Sequence, residues 1–190
     1  MSQTSVHPIT GRKSATNTPP RAGWHTTLVG DTSAWIRPID EQDAELELEF
    51  LNSLSPEFRS LRFLGLIREP SPDVARELTD LDPASAAGFI ALISQHGRER
   101  QIGAAHFHIN AKGDGCDCSV TVSEAWQKRG VGSSLMLRLV DAARARGVKH
   151  MRTHAPARSD GSHHLAARIG FRRRLDRRDP ATVVYHLKLR

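Results

Sequence analysis

Between Trp126 and Met136 the chain reads Trp-Gln-Lys-Arg-Gly-Val-Gly-Ser-Ser-Leu-Met, with glycines at 130 and 132 and cations at 128 and 129. A strand-like run, Ser119 to Val122, leads into this stretch, and a helix-like run, Val131 to Arg146, leaves it. A turn between strand and helix concentrates backbone N–H groups, because the first amides of a helix have no acceptor inside it. Gly130 and Gly132 carry no Cβ, so an anion can come close to the main chain. Lys128 and Arg129 add positive charge at the same end. These residue types in this order predict a site for a phosphorylated cofactor. The stretch is not a P-loop, since no Gly-Lys-Ser/Thr follows, nor a dinucleotide fingerprint, which needs three glycines and an acid about 20 positions on.

Strand and helix signals alternate around this loop. Trp35 to Ile39 reads as a strand and Glu41 to Leu54 as a helix with Ala44, Leu48, Phe50 and Leu51 towards one side. Pro70 and Pro72 mark a turn, with Asp73 expected to cap a short helix through Leu78. Phe89 to Ser94 is a short apolar strand, and Gly103 to Ile109 and Asp117 to Val122 form a hairpin about Lys112-Gly113-Asp114-Gly115. Leu135, Met136, Leu139, Val140 and Ala143 give the helix after the phosphate loop an apolar stripe, which Gly147 ends. A strand follows from Lys149 to His154. The order β-α-α-β-β-β-α-β-α-β is that of a mixed α/β layer architecture.

Gln127-x-x-Gly130-x-Gly132 resembles the Arg/Gln-x-x-Gly-x-Gly/Ala pyrophosphate loop of the GNAT superfamily of acyl-CoA-dependent N-acyltransferases. The flanks agree. Ala34 to Ala44 resembles the family's first strand and its turn into a helix. Leu54 to Phe63 is similar to a segment of the GNAT domains in bacterial protein lysine acetyltransferases. Ala166-Ala167-Arg168-Ile169-Gly170-Phe171 looks like the closing helix and its Gly-Phe turn, and Asp179 to Leu187 like the last strand. The resemblance spans roughly residues 33 to 189. It implies a mixed, mostly antiparallel sheet, splayed at the cofactor site, with helices on both faces. It also implies acetyl-CoA as co-substrate, with Val120, Thr121 and Val122 pairing the pantetheine through their main chain. Gln127, Lys128, Arg129, Gly130, Val131, Gly132 and Ser133 would then hold the pyrophosphate.

N-acylation requires a neutral amine, so a carboxylate near the site is expected to accept its proton. Asp117 stands where the resembling lysine acetyltransferases carry a catalytic Glu, one methylene shorter; the other reading of it is an exposed turn residue beside Gly115. Glu124 is the second candidate. Two further departures are Ala166, where many relatives place a tyrosine that protonates the leaving thiolate, and Ser159, where the family usually has Asn. Ser159 keeps a hydroxyl able to bond the pantetheine. The only tyrosine, Tyr185, lies on the last strand. The expected acceptor is a protein lysine, with a small amine as the alternative, and an acyl-CoA-sensing protein without turnover as the reading from another class.

The chain has 190 residues, 38% hydrophobic and 25% charged, which suits one globular domain. Residues 1–30, rich in Ser, Thr, Pro and Gly with no acid before Asp31, read as a flexible tail, and 31–190 as the catalytic domain. No apolar run approaches the roughly 18 residues of a membrane span. Two cysteines make no disulfide framework, so a reducing cytoplasm is expected. His106, His108, Cys116 and Cys118 flank the hairpin turn. Pairing 106 with 118 and 108 with 116 would put all four on one face, but as a rectangle poorly matched to tetrahedral zinc, so buried thiols, a surface His pair and no metal are expected. The net charge is +6, and Arg172, Arg173, Arg174, Arg177 and Arg178 form a tight basic cluster with only Asp176 and Asp179 among them. Without interleaved aromatics this reads as a solvated hairpin or a patch steering anionic CoA, not a nucleic-acid site. Monomer and homodimer both remain open.

Overall fold

Ala34 and Ile36 are buried on either side of the half-buried Trp35, the two-residue period that puts Ser33–Pro38 in a strand. The computed structural model describes residues 22–62, 69–157, 159–175 and 181–189. In chain order the elements are β1 (Trp24–Thr27), β2 (Ser33–Pro38), α1 (Ala44–Ser53), α2 (Pro56–Arg62), α3 (Pro72–Thr79), β3 (Ala86–Gln95), β4 (Arg98–Ile109), β5 (Gly115–Val122), α4 (Val131–Ala145), β6 (His150–Pro156), α5 (Asp160–Ile169), β7 (Arg172–Leu175) and β8 (Thr182–Lys188).

The strands form one eight-stranded sheet in the order β1-β2-β3-β4-β5-β6-β8-β7. Every neighbouring pair is antiparallel except β5 and β6, which run parallel across the α4 connection. One face packs on α4 through Phe107, Leu135, Leu139, Met151 and Val183, with α5 alongside. The other buries Ile39, Phe50, Leu51, Ile90 and Leu92 beneath α1, with α3 against α1. Each such side chain contributes about 1.5–3 kcal/mol by leaving water. This is the GNAT architecture expected from the resemblance.

Several expectations need correction. Trp24–Thr27 lies inside the stretch read as tail, yet pairs with Ser33–Ile36 as an edge strand. Its apolar content was too low to register as a strand alone. Ser71, not Asp73, caps α3: its Oγ accepts from the Val74 amide at 3.3 Å, with Pro72 in the first turn. The apolar strand after α3 is longer than expected because His96 and Gly97, at φ 52° and 75°, make a two-residue turn that carries it directly into β4. Arg172–Leu175 is a strand, β7, antiparallel to β8. The β4–β5 register is shifted by one from the symmetric guess: Phe107 faces Cys118, Ile109 faces Cys116, and His106 and His108 face Ser119 and Asp117. Both thiols therefore lie on the α4 side and both imidazoles on the opposite side. His106 is buried and His108 exposed, so they are not a surface pair either. Residues 1–21, Phe63, Arg158, Arg177 and Arg178 lie outside the described residues, as do Asp176, Asp179 and Pro180.

A buried ion pair fixes the entry into α1. Arg37 donates through both terminal nitrogens to Asp43, at 2.6 and 2.7 Å, and Asp43 also accepts from the Asp40 amide at 3.0 Å. Removing one partner would leave a charge buried without its counterion. Asp43→Ala is therefore expected to lower the unfolding free energy by about 3–5 kcal/mol in urea titrations. A loss below about 1 kcal/mol would show that water readily reaches Arg37.

Candidate active site

The site begins where two strands part. β5 and β6 pair only at Gly115–His150, Cys116–Met151 and Asp117–Arg152. Beyond Asp117, β5 stays with β4 and β6 stays with β8, so from Cys118 to Val122 the β5 edge has no partner on β6. Unpaired strand edges inside a fold must find hydrogen bonds elsewhere. Two cavities occupy the opening. One of about 370 Å³ lies among β5, β6, β8 and α5, with Cys118, Thr153, Ala155, Ala166 and Tyr185 on its walls. The other, about 430 Å³, runs on to the phosphate loop past Val122, Gln127, Lys128, Gly130, Gly132 and Ser133. Phe58, Val120, Ser159, Ser162 and Leu165 line both, so they form one continuous cleft.

The loop has the backbone of an anion cradle. Lys128 and Gly130 both take left-handed conformations, φ 59° and 97°, and such alternation turns successive N–H groups towards one point. Gly130 is the N-cap of α4 and no side chain caps the helix. The first helical bond goes from the Ser134 amide to the Gly130 carbonyl at 3.0 Å, so the amides of Val131, Gly132 and Ser133 precede the helical ladder. The helix dipole adds to Lys128 there. A Cβ at Gly132 would stand 3.3 Å from Leu165 across the cleft, so glycine keeps the passage open. These residues fit a pyrophosphate.

Of the residues singled out in the sequence, Val120, Val122, Gln127, Lys128, Gly130, Gly132, Ser133 and Ser159 line this cleft. Thr121 is buried and faces away from Val120 and Val122, so only its main chain can serve there. Val131 is a core residue. Arg129 stacks over Trp126, 5.0 Å from the ring centroid. Gln127 spends its amide on the loop itself, donating to the Val122 carbonyl at 3.2 Å. The Ser159 hydroxyl meets that of Ser162 at 2.8 Å.

The two carboxylates part company. Asp117 is half-exposed at the fork of β5 and β6, where both its oxygens accept from Arg152, at 2.9 and 2.8 Å. The carboxylate raises the Arg152 pKa further. Asp117 lines a separate groove on the far side of the sheet. Glu124 accepts from the Ser55 amide at 3.1 Å, at the start of α2, where the Ser55 hydroxyl also receives the Phe58 amide. Arg59 then bonds the Leu51 and Leu54 carbonyls. Glu124 thus ties α2, and Phe58 with it, to the cleft. Burial pushes the Glu124 carboxyl up, but bonds from the Ser55 hydroxyl and nearby amides outweigh it and leave it below the ordinary range.

One cleft group was not assigned a role from sequence. Tyr185 is buried on β8, and its hydroxyl meets Nδ1 of His163 on α5, one turn from Ala166. His163 Nε2 lies 3.0 Å from the Ala157 carbonyl. A carbonyl only accepts, so Nε2 carries the proton, and in the neutral ring Nδ1 accepts from the phenol. The signal available was that Tyr185 is the only tyrosine and stands on an inward-facing position of the last strand. Cys116, by contrast, is held as a thiol: burial, with help from the charge of Asp117, pushes it up to about 11. Among the described residues no cluster of His, Cys, Asp or Glu assembles a metal site, and no helix is long and apolar enough to cross a membrane.

The splayed sheet, the uncapped helix behind a glycine turn and the cleft joining them are what the resemblance to the acyl-CoA-dependent N-acyltransferases implies. The model of the Acetyltransferase (GNAT) family matches residues 48–171, and the chain belongs to that family. A Pseudomonas aeruginosa acetyltransferase is 33% identical over 166 residues, covering 87% of this chain and 89% of that protein. Among solved structures, the GNAT domain of PAT from S. lividans superposes with a TM-score of 0.77 at 22% identity, over 88% of this chain and 97% of that one. The PaiA N-acetyltransferase from Thermoplasma acidophilum, solved with coenzyme A, gives 0.63 at 14% identity, over 82% and 98%.

The Glu124 tether carries a pH signature. A carboxyl held below its unfolded value contributes stability above that value, near 4.5, and loses it as pH falls through the folded one. Glu124→Gln should therefore melt lower than the wild type at pH 7, with the gap closing between about pH 5 and pH 3. A gap of equal size at both ends of that range would show that the charge of Glu124 does not hold α2.

Proposed function

We propose that the chain transfers an acetyl group from acetyl-CoA to the side-chain amine of a protein lysine. The observation that carries this reading is the continuous cleft between the parted β5 edge and the uncapped N-terminus of α4. Acetyl-CoA supplies a thioester whose carbonyl carbon takes the amine's lone pair while its carbon–sulfur bond breaks. The amides of residues 131 to 133, with Lys128, hold the pyrophosphate, and the main chain of Val120 to Val122 pairs with the pantetheine arm. Phe58 and Leu165 exclude water from the arm by closing the cleft across it. The lysine acceptor is supported by the likeness of Leu54 to Phe63 to protein lysine acetyltransferases; α2, which carries most of that segment, forms part of the cleft wall.

Asp117 accepts the amine's proton. Arg152 orients its carboxylate and occupies one lone pair on each oxygen, which leaves the second pair on each for the amine or a bridging water. Tyr185 gives its proton to the departing thiolate, solvent returns one to the phenol oxygen, and the hydrogen bond to Nδ1 of His163 holds the phenol in place. In this reading Tyr185 performs from β8 the task for which relatives use a tyrosine at the position of Ala166.

The cofactor assignment is tested by melting. Acetyl-CoA should raise the melting temperature, as any ligand of the folded state does. Gly130→Asp and Gly132→Asp should each abolish the shift by setting a side chain and a negative charge where the pyrophosphate lies. A shift retained by both variants would remove the loop from the binding site.

The proton path is tested by thiol release with a lysine peptide. Asp117→Asn should lower kcat about 10²-fold or more at pH 7, with acetyl-CoA binding kept and the deficit shrinking as pH rises towards the amine's own pKa. Tyr185→Phe should lower kcat about 10-fold, a smaller loss because a thiolate near pKa 8.5 needs little help, with KM for acetyl-CoA unchanged. Asp117→Asn at full activity would make Asp117 a structural partner of Arg152 and nothing more. Wild-type rates in Tyr185→Phe would mean the thiolate takes its proton from water.

A further inference from the structure

The far side of the sheet carries a surface that the cofactor reading leaves unused. α1 and the helix packed on it cover the β2–β4 half of that face. Over β5, β6, β8 and β7 runs instead a groove of about 720 Å³, which shares no lining residue with the cofactor cleft. Strand register builds its floor. Asp117 pairs with Arg152, Arg152 with His186 and His186 with Arg172, so these four form one row across four strands. Paired residues point to the same face, so the row lies on one surface. Arg174 and Lys188 stand beside the row.

The balance of charge is one-sided. Four cations, Arg152, Arg172, Arg174 and Lys188, and two carboxylates, Asp114 and Asp117, line the groove. Arg152 is matched by Asp117, while Arg172, Arg174 and Lys188 have no ion pair among the described residues. The field shows in His186: burial first, then Arg174, Arg152 and His154, hold its imidazole below the ordinary range against the pull of Asp117. Asp117 lines the groove at the last position where β5 and β6 pair, and its chain neighbour Cys118 lines the cleft. An amine whose proton goes to Asp117 must approach from the groove. An ammonium ion moving along a cationic surface is repelled unless its neighbours carry negative charge.

We propose that this basic groove is the docking surface of the acceptor and selects lysines flanked by carboxylates in an acidic peptide segment. The proposal rests on the acetyl-CoA-to-lysine reading given above. Carboxylates of the peptide bond Arg172, Arg174 and Lys188, which sets the lysine side chain at the fork beside Asp117. The arginines of β7 then serve the acceptor, not the cofactor.

Three peptides with a central lysine, flanked by Asp/Glu, by Ser/Gly or by Arg, are compared in thiol release by the full chain with acetyl-CoA, alongside free aspartate as a small carboxylate-bearing amine. The acidic peptide should exceed the basic one in kcat/KM by at least about 10-fold at low salt, and the ratio should fall as salt rises. Arg172→Glu with Arg174→Glu should reverse the order while KM and the melting shift for acetyl-CoA stay unchanged; Arg172→Gln with Arg174→Gln, milder for folding, should cut the ratio by half or more. Labelled acidic peptide should bind saturably in fluorescence anisotropy with CoA present, and duplex DNA should not displace it at equal charge. Equal rates for the three peptides, acetylation of aspartate in preference to all of them, no saturable peptide binding, or displacement by DNA would each overturn the docking proposal. Failure of acetyl-CoA to shift the melting temperature would instead overturn the cofactor reading, so the two fail separately.

Discussion

Everything at this site depends on β5 and β6 having three shared pairs and no more. Each strand is fully engaged on its other side, β5 with seven residues of β4 and β6 with seven of β8. The parallel contact between them can therefore be short without loss of the sheet. Its shortness leaves a stretch of strand edge facing a cavity, which is costly for a fold unless a partner arrives. It also sets the loop after Val122 against the start of α4, and it leaves Asp117 at the fork with one face of the sheet on either side. Longer pairing would close the cleft and bury the β5 edge in the ladder. The splay is thus the condition for binding, and the chemistry is arranged around its apex.

The two sides of the opening handle charge by different means. On the α4 side the positive potential comes from main chain: left-handed residues at 128 and 130, unladdered amides and a helix end without a side-chain cap. Such donors are fixed by the fold and cost no side-chain entropy when they bind. On the far side the potential comes from long side chains on β6, β7 and β8. Arginine and lysine there can follow ligands of varied shape, each contact being weak and salt-sensitive. A rigid cradle suits an invariant cosubstrate, and a flexible cationic floor suits acceptors that share charge but not outline. Glu124 belongs to neither: its bond to Ser55 makes it the fastening of α2.

How much of this was legible in the sequence follows from how local each feature is. The phosphate loop, the stripe of α4 and the order of the major strands are set by neighbours within a few residues, and they read directly from spacing. Strand register is not local. A shift of one residue in the β4–β5 hairpin separates His106 and His108 from Cys116 and Cys118, and what decided it is turn geometry, with Gly113 at φ 74° and the Asn110 amide bonded to the Gly115 carbonyl. β1 escaped notice because four mostly exposed residues have no period to detect. Arg152 sits 35 residues from Asp117, so no motif could reveal the ion pair that sets the carboxylate's orientation. The same holds for Phe58, brought to the cleft by a tether from Glu124.

The departures from the family pattern become coherent once placed in space. Ala166 leaves the cleft wall short of a side chain, and the wall beside it is formed by the phenol of Tyr185, held by His163 three residues before Ala166 on the same helix face. Ser159 likewise has a partner in Ser162, which keeps a hydroxyl pair where a single longer amide would reach. The shorter Asp117 is compensated differently: Arg152 grips both oxygens and holds the carboxylate at the fork, so lost reach is exchanged for fixed direction. In each case a smaller side chain has a polar neighbour beside it: Tyr185 by Ala166, Ser162 by Ser159 and Arg152 by Asp117. Polar groups held in this way keep a hydrogen-bonding partner at each position while the shape of the site changes.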